Sequence, residues 1–126
     1  MAFPDDRKYS ETHEWHLVDG DTLTLGLTQH AVDQLTDVTY AEMKPVGTTL
    51  AQGDPVGEVE SVKTTSDVYS GVAGEIIEVN DAAAADPSVL NTDPHGEGWL
   101  VKIRISDPAG LESLVDAETY AREHAR

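Results

Sequence analysis

Lys63 is the side chain whose type and surroundings point most directly to chemistry. It stands between two apolar-rich, β-branched segments: Val56, Val59 and Val62, interrupted by Gly57, precede it, and Ser66 to Val79, with glycine breaks, follows. That arrangement predicts a hairpin with the lysine at its tip. Lys63-Thr64-Thr65 contains no Gly, Pro or Asn, so the tip is expected to be a type I bend in a loop of three to five residues rather than a two-residue primed turn. The other lysines are Lys8, Lys44 and Lys102, against 24 acidic residues, and Glu58, Glu60 and Asp67 lie close to Lys63 in sequence. An amine amid carboxylates stays protonated, which disfavours a Schiff-base or general-base role. A lysine acylated by another enzyme needs only to protrude, and the plainer reading is a solvated charge.

Other constellations carry less. His13-Glu14-Trp15-His16 has no i, i+4 histidine pair, and on a strand positions 13 and 16 point to opposite faces, so shared metal binding is not expected. Trp15 reads as a core aromatic. Asn91 to Gly96 has some spacing of a calcium loop, but His95 is wrong for a hard cation and the twelfth position is Lys102, so a turn-rich loop is expected. Phosphate-cradling glycine motifs and a serine nucleophile elbow are absent.

The elements that must position Lys63 are mostly strands. Glu14 to Val18 and Thr22 to Leu27 flank Asp19-Gly20, a two-residue hairpin signal, and Leu23, Leu25 and Leu27 alternate with small or polar residues. Thr28 is placed to cap a short helix through Leu35, with Ala31, Val32 and Leu35 on one side. Val38 to Met43 is a further strand, ended by Lys44-Pro45. Residues 80 to 97 read as a long loop with one helical turn near Pro87 to Leu90. Trp99, Val101, Ile103 and Ile105 then alternate as a half-buried strand. After Asp107-Pro108 the pattern turns helical, with Asp107 as cap and a second run from Asp116 to about His124.

Composition bounds the function. The length is that of one domain, 1 to 126, with a core over about 9 to 106 and a helical tail from 107. A net charge of −16 repels phosphate backbones and anionic lipid, which argues against nucleic-acid or membrane partners and suits docking to basic surfaces. Cysteine is absent, so any sulfur chemistry must come from a cofactor. The first eight residues have no apolar run, and no stretch approaches the ~20 apolar residues of a membrane span, so a cytoplasmic protein is expected.

Glu60-Ser61-Val62-Lys63, with Ser66-Asp67-Val68-Tyr69-Ser70 and Gly74-Glu75, resembles the lipoylation site of the glycine cleavage system H proteins. Further blocks follow in family order from Tyr9 and His13-Glu14-Trp15 to Gly96-Glu97-Gly98-Trp99 and Asp116-Ala117-Glu118 with Tyr120. Gly71 departs from the pattern, since the family usually has proline there, and glycine is expected to loosen that bend. The resemblance implies a mainly β fold of two packed antiparallel sheets, a barrel-sandwich hybrid, with a short helix near 29 to 35 and a C-terminal helix. It implies lipoate joined covalently to Lys63, ligase recognition through Glu60, Gly47 and Gly74, and a pocket for the loaded arm at Thr12, Glu14 and Asp67. Such a protein is a carrier and not an enzyme. It moves an aminomethyl group from a pyridoxal-phosphate glycine decarboxylase to a tetrahydrofolate-dependent aminomethyltransferase, and dihydrolipoyl dehydrogenase reoxidises it. Lipoate-attaching enzymes load it. The alternatives are an H-like relay that donates lipoyl groups to other complexes, a free-standing lipoyl domain, and an unmodified interaction domain. A biotin carrier is disfavoured because Val62 and Thr64, not methionines, flank the lysine.

Overall fold

A computed structural model describes residues 4–124. In chain order the elements are β1 (Lys8–Tyr9), β2 (Glu14–Asp19), β3 (Thr22–Leu27), α1 (Gln29–Leu35), β4 (Val38–Met43), β5 (Thr49–Leu50), β6 (Pro55–Ser61), β7 (Thr65–Tyr69) and β8 (Ala73–Val79). Then come α2 (Asp81–Ala85), α3 (Val89–Thr92), β9 (Val101–Asp107), a 3₁₀ helix (Pro108–Ser113) and α4 (Ala117–His124). Two antiparallel sheets result, one of six strands in the order β1-β2-β3-β9-β8-β5 and one of three in the order β4-β6-β7. They pack as an open sandwich. Leu23, Leu25, Ile76, Val101 and Ile103 of the larger sheet share one core with Ala41, Val56, Val59 and Val68 of the smaller.

Local chemistry explains the order. The β2–β3 hairpin turns on Gly20-Asp21, one residue later than Asp19-Gly20, and Gly20 takes φ +65°, the conformation a first loop position of a II′ turn needs. The Thr28 hydroxyl accepts from Ala31 N at 3.2 Å, capping α1, whose Val32 and Leu35 are buried. The expected strand at Trp99 begins later: Val101 and Ile103 are buried as the alternation requires, but at its start Leu100 is buried and Trp99 only partly so, and Leu100 N bonds Leu25 O at 2.8 Å. The expected loop after residue 80 holds α2 as well as α3. Asn80 caps α2 by accepting from Ala82 N, and its amide donates to Glu97 O and Trp99 O, which secures the segment. Asp107 does cap the turn that follows β9, through Ala109 N, but that turn is 3₁₀.

A second cluster of Tyr9, Trp15, Ala117 and Tyr120 fastens α4 to the larger sheet. The Tyr9 and Tyr120 rings stack with centroids 4.9 Å apart. Trp15 is buried, as its core reading requires, and its Nε1 donates to Pro94 O at 2.9 Å. Its register partner is Gly26, where a Cβ would come within 2.6 Å of the indole. Glycine there makes room for the ring.

The bend between β7 and β8 is fastened, contrary to the looseness expected of Gly71. Gly71 N donates to His16 Nε2 at 3.1 Å, Ser70 N to Asp54 O at 2.9 Å, and Gly53 N to Ser70 O at 2.8 Å. Gly71 is not among the residues with positive φ. A Cβ on it would sit 2.9 Å from His16 Nε2 and 3.0 Å from Leu114 Cδ2, so the small residue serves close packing and an N–H that proline lacks.

Gly74 lies inside the larger sheet, where a Cβ would meet Arg104 O at 2.3 Å and Ile103 Cγ2 at 2.6 Å. Gly74→Ala is expected to cost about 1–3 kcal/mol by overpacking against backbone, read as a lower urea midpoint at unchanged slope.

Candidate functional site

The β6–β7 connection is a three-residue loop, Val62 to Thr64, inside the expected range. It is braced by one hydroxyl. Ser61 Oγ accepts from Lys63 N at 3.1 Å and from Thr64 N at 3.0 Å, while Ser61 N donates to Thr64 O at 2.8 Å. Val62 N donates to Asp37 O at 3.2 Å, which ties the tip to the segment between α1 and β4. Val62, expected to extend the strand, is 70% exposed instead. Lys63 is exposed and forms no salt bridge with described residues; its Nζ reaches Gln34 O at 3.4 Å. Glu58 and Glu60, its neighbours in sequence, pair across the sheet with Asp67 and Thr65.

Lys63 opens onto a groove of about 590 Å³ lined by Leu27, Ala31 and Leu35 on the apolar side and by Thr12, His13 and Gln34 on the polar side. Thr12 also lines a second cavity of about 630 Å³, which contains Ser10, Glu14, Gln52 and Tyr69. Thr12 thus borders both spaces, the one beside the lysine and the one beside Glu14.

That carboxylate is unusual. Glu14 opens β2 and is fully buried. Its Oε1 accepts from Ser10 Oγ at 2.5 Å and from Thr12 Oγ1, and its Oε2 accepts from Tyr69 N at 3.0 Å. Burial raises the carboxyl pKa, and the Ser10, Thr12 and Tyr69 donors work against that rise. His16, two residues on, is also fully buried. Its Nε2 accepts from Gly71, its Nδ1 has no partner among the described residues, and burial lowers its pKa to about 4. His13 turns elsewhere: it takes φ +73° and its Nδ1 lies 2.7 Å from the Tyr120 hydroxyl.

Of the residues expected at the site, Lys63 and Thr12 line one space and Thr12 and Glu14 the other. Asp67 lines neither. Asp67 is exposed and lines a separate groove with Glu42, Lys44 and Glu58, linked to the Glu14 group only through Tyr69, whose hydroxyl donates to Asp67 Oδ2 at 3.4 Å. Glu60 is exposed opposite Tyr40. Gly47 has φ +97°, and its N donates to Ile76 O, so it and Gly74 both have local backbone reasons to be glycine. Ser10, Gln34 and Tyr69 were not assigned roles from sequence. Ser10 acts four residues from Glu14 across a turn, and Tyr69 acts through backbone alone, which no side-chain pattern signals.

A sandwich that presents one lysine on a braced tip beside a groove has the form of a carrier domain. The family model described as Glycine cleavage H-protein matches residues 7–126. A glycine cleavage system H protein of Thermus thermophilus is 49% identical over 120 residues, 95% of this chain and 94% of that protein. That of Dinoroseobacter shibae is 50% identical over 113 residues, 90% and 93% of the two chains. The crystal structure of a glycine cleavage system H protein from Mycobacterium marinum superposes with a TM-score of 0.87 at 36% identity, covering 98% of this chain and all of that one. The chain belongs to the glycine cleavage H-protein family, whose members are lipoyl-carrier subunits and not enzymes.

A carboxyl whose pKa is raised on folding stabilises the fold below its unfolded pKa and loses that contribution as pH rises through the folded value. Ionised Glu14 therefore costs stability at neutral pH. Glu14→Gln is expected to be more stable than the parent at pH 7, with the gap closing toward pH 4, as followed by thermal unfolding across that range.

Proposed function

We propose that Lys63 is the site of lipoyl attachment and that the chain carries an aminomethyl group between the components of the glycine cleavage system. One observation carries this reading: the exposed Lys63 opens on a groove with apolar lining, and Thr12 stands between that groove and the Glu14 cavity, lining both. The fit to a lipoyl chain is chemical. Leu27, Ala31 and Leu35 match its hydrocarbon, and amide formation at Nζ removes a charge that would not enter such a groove.

When bound, the lipoyl group supplies a dithiolane that takes up electrons and an aminomethyl group at sulfur. The chain's own residues do the rest. The braced loop holds the attachment point still, and an arm laid in the groove would cover its apolar wall and shed water there. Glu14 Oε2 accepts one hydrogen bond and retains a second lone pair. A carboxylate there holds an amine as ammonium, tying up the nitrogen lone pair that would otherwise expel a thiolate. Glu60, beside the tip and exposed, is the contact offered to a lipoate-attaching enzyme. Glycine decarboxylase, aminomethyltransferase and dihydrolipoyl dehydrogenase are the partners the family role supplies.

Co-expression with a lipoate ligase and lipoate is expected to add one lipoyl mass to the intact protein and none to Lys63→Arg. Modification of the arginine variant would move the site elsewhere. Glu14→Ala is expected to leave lipoylation intact and to speed spontaneous loss of the carried aminomethyl group roughly tenfold, the scale of about 1.4 kcal/mol. A release rate equal to that of the parent would remove Glu14 from the protective role.

A further inference from the structure

The Glu14 carboxylate depends on a backbone donor at the last rung of a ladder, where Tyr69 faces Pro55, a residue with no N–H of its own to offer. Tyr69 ends β7, in the three-stranded sheet, whereas Glu14 begins β2, in the six-stranded one. The two sheets are joined here by two β2 side chains two residues apart, bonding two N–H groups two residues apart: Glu14 Oε2 with Tyr69 N at 3.0 Å, and His16 Nε2 with Gly71 N at 3.1 Å. Because Nε2 accepts, the imidazole is neutral with its proton on Nδ1, and that nitrogen has no partner among the described residues. Backbone of Glu14 and Lys8 lies near the ring, without a hydrogen bond of normal geometry to Nδ1. The effect of His16 lies in what the other nitrogen holds.

We propose that His16 is a positioning residue for the amine-holding pocket: by accepting from Gly71 N it fixes the Tyr69–Gly71 segment so that Tyr69 N stays aimed at Glu14. The Ser70 backbone bonds to Asp54 and Gly53 hold the bend to its own sheet, and the His16–Gly71 bond adds the tie to β2, which requires a residue at position 71 that keeps its N–H. A side chain at 71 would also crowd His16 Nε2 and Leu114. The groups facing the pair are few. Backbone of Lys8 and Glu14 flanks His16, which shares a cavity wall with Asp5, Asp6, Arg7 and Asp116. Glu14 faces Ser10, Thr12 and Tyr69, shares its cavity with Glu11, and acts electrostatically on Tyr120.

The proposal stands apart from lipoylation, so it is tested on the unmodified protein. The readout is the pH midpoint of the Glu14 side-chain carboxyl carbon by NMR, in the parent, His16→Val, His16→Asn and His16→Gln. Glutamine places an acceptor near the Nε2 position; asparagine and valine do not. Loss of the Tyr69 donor is expected to raise the Glu14 midpoint in the valine and asparagine variants by roughly one pH unit, a tenfold change in proton affinity. The glutamine variant is expected to return it to the parent value. Should His16→Val not fold, the asparagine and glutamine variants give the same comparison. A Glu14 midpoint unmoved in the asparagine or valine variant, or a glutamine variant that behaves like them, overturns the positioning role and leaves His16 a packing residue.

Discussion

A carboxylate withdrawn from water is the constraint around which this fold is arranged. Glu14 is fully buried, and the interior tolerates it only because two hydroxyls and a backbone N–H converge on it. Those donors come from both sides of the sandwich. Ser10 and Thr12 lie in the turn that enters β2, and Tyr69 ends a strand of the other sheet. Satisfying one charge therefore sets the relative placement of β2 and β7, and with β7 the hairpin that bears Lys63.

Backbone strain gathers at the same end of the molecule. The described residues other than glycine with positive φ are His13, at +73°, and Thr36, at +64°. Both border the lysine groove: His13 lines it, and Thr36 follows the α1 turn whose Gln34 carbonyl meets Lys63 Nζ. Such conformations cost on the order of 1–3 kcal/mol each and persist where neighbours over-determine them. His13 is held by its N–H to Ser10 O and its C=O to Thr28 N, and Thr36 by its N–H to Val32 O and its C=O to Asn91. Strained but fully tied backbone thus stands in the groove's wall at His13 and just beyond it at Thr36.

Much of this was legible in the sequence, for reasons that can be stated residue by residue. Alternation at Leu23, Leu25 and Leu27, the Thr28 cap, and the proline after Val38 to Met43 each act locally, so β3, α1 and β4 fall where the pattern places them. The alanine run of α2 has no apolar periodicity to announce it, and its cap Asn80 is held by carbonyls nearly twenty residues away. At the start of β9 the difference is also long-range: Leu100 is buried beside Trp99, and its N–H bonds Leu25 in β3. Of the candidate site, Lys63 stood out by its place between two strand segments, while Thr12 and Glu14 entered only through the family resemblance. The placement of Asp67 in another groove, and the grip of His16 on Gly71, depend on pairings more than fifty residues apart or on which face a strand presents.

The hairpin tip contains no glycine or proline, and Ser61 locks it from within. Motion at this end therefore belongs to the lysine side chain and whatever extends it. For a group joined there, entering the neighbouring groove is an intramolecular step, and short flexible links give effective concentrations on the order of millimolar. A cleft of weak intrinsic affinity is then still well filled at rest. On the proposed carrier role, a partner that offers its own channel would have only a modest hold to overcome, which makes sheltering and surrender of a cargo compatible properties of one surface.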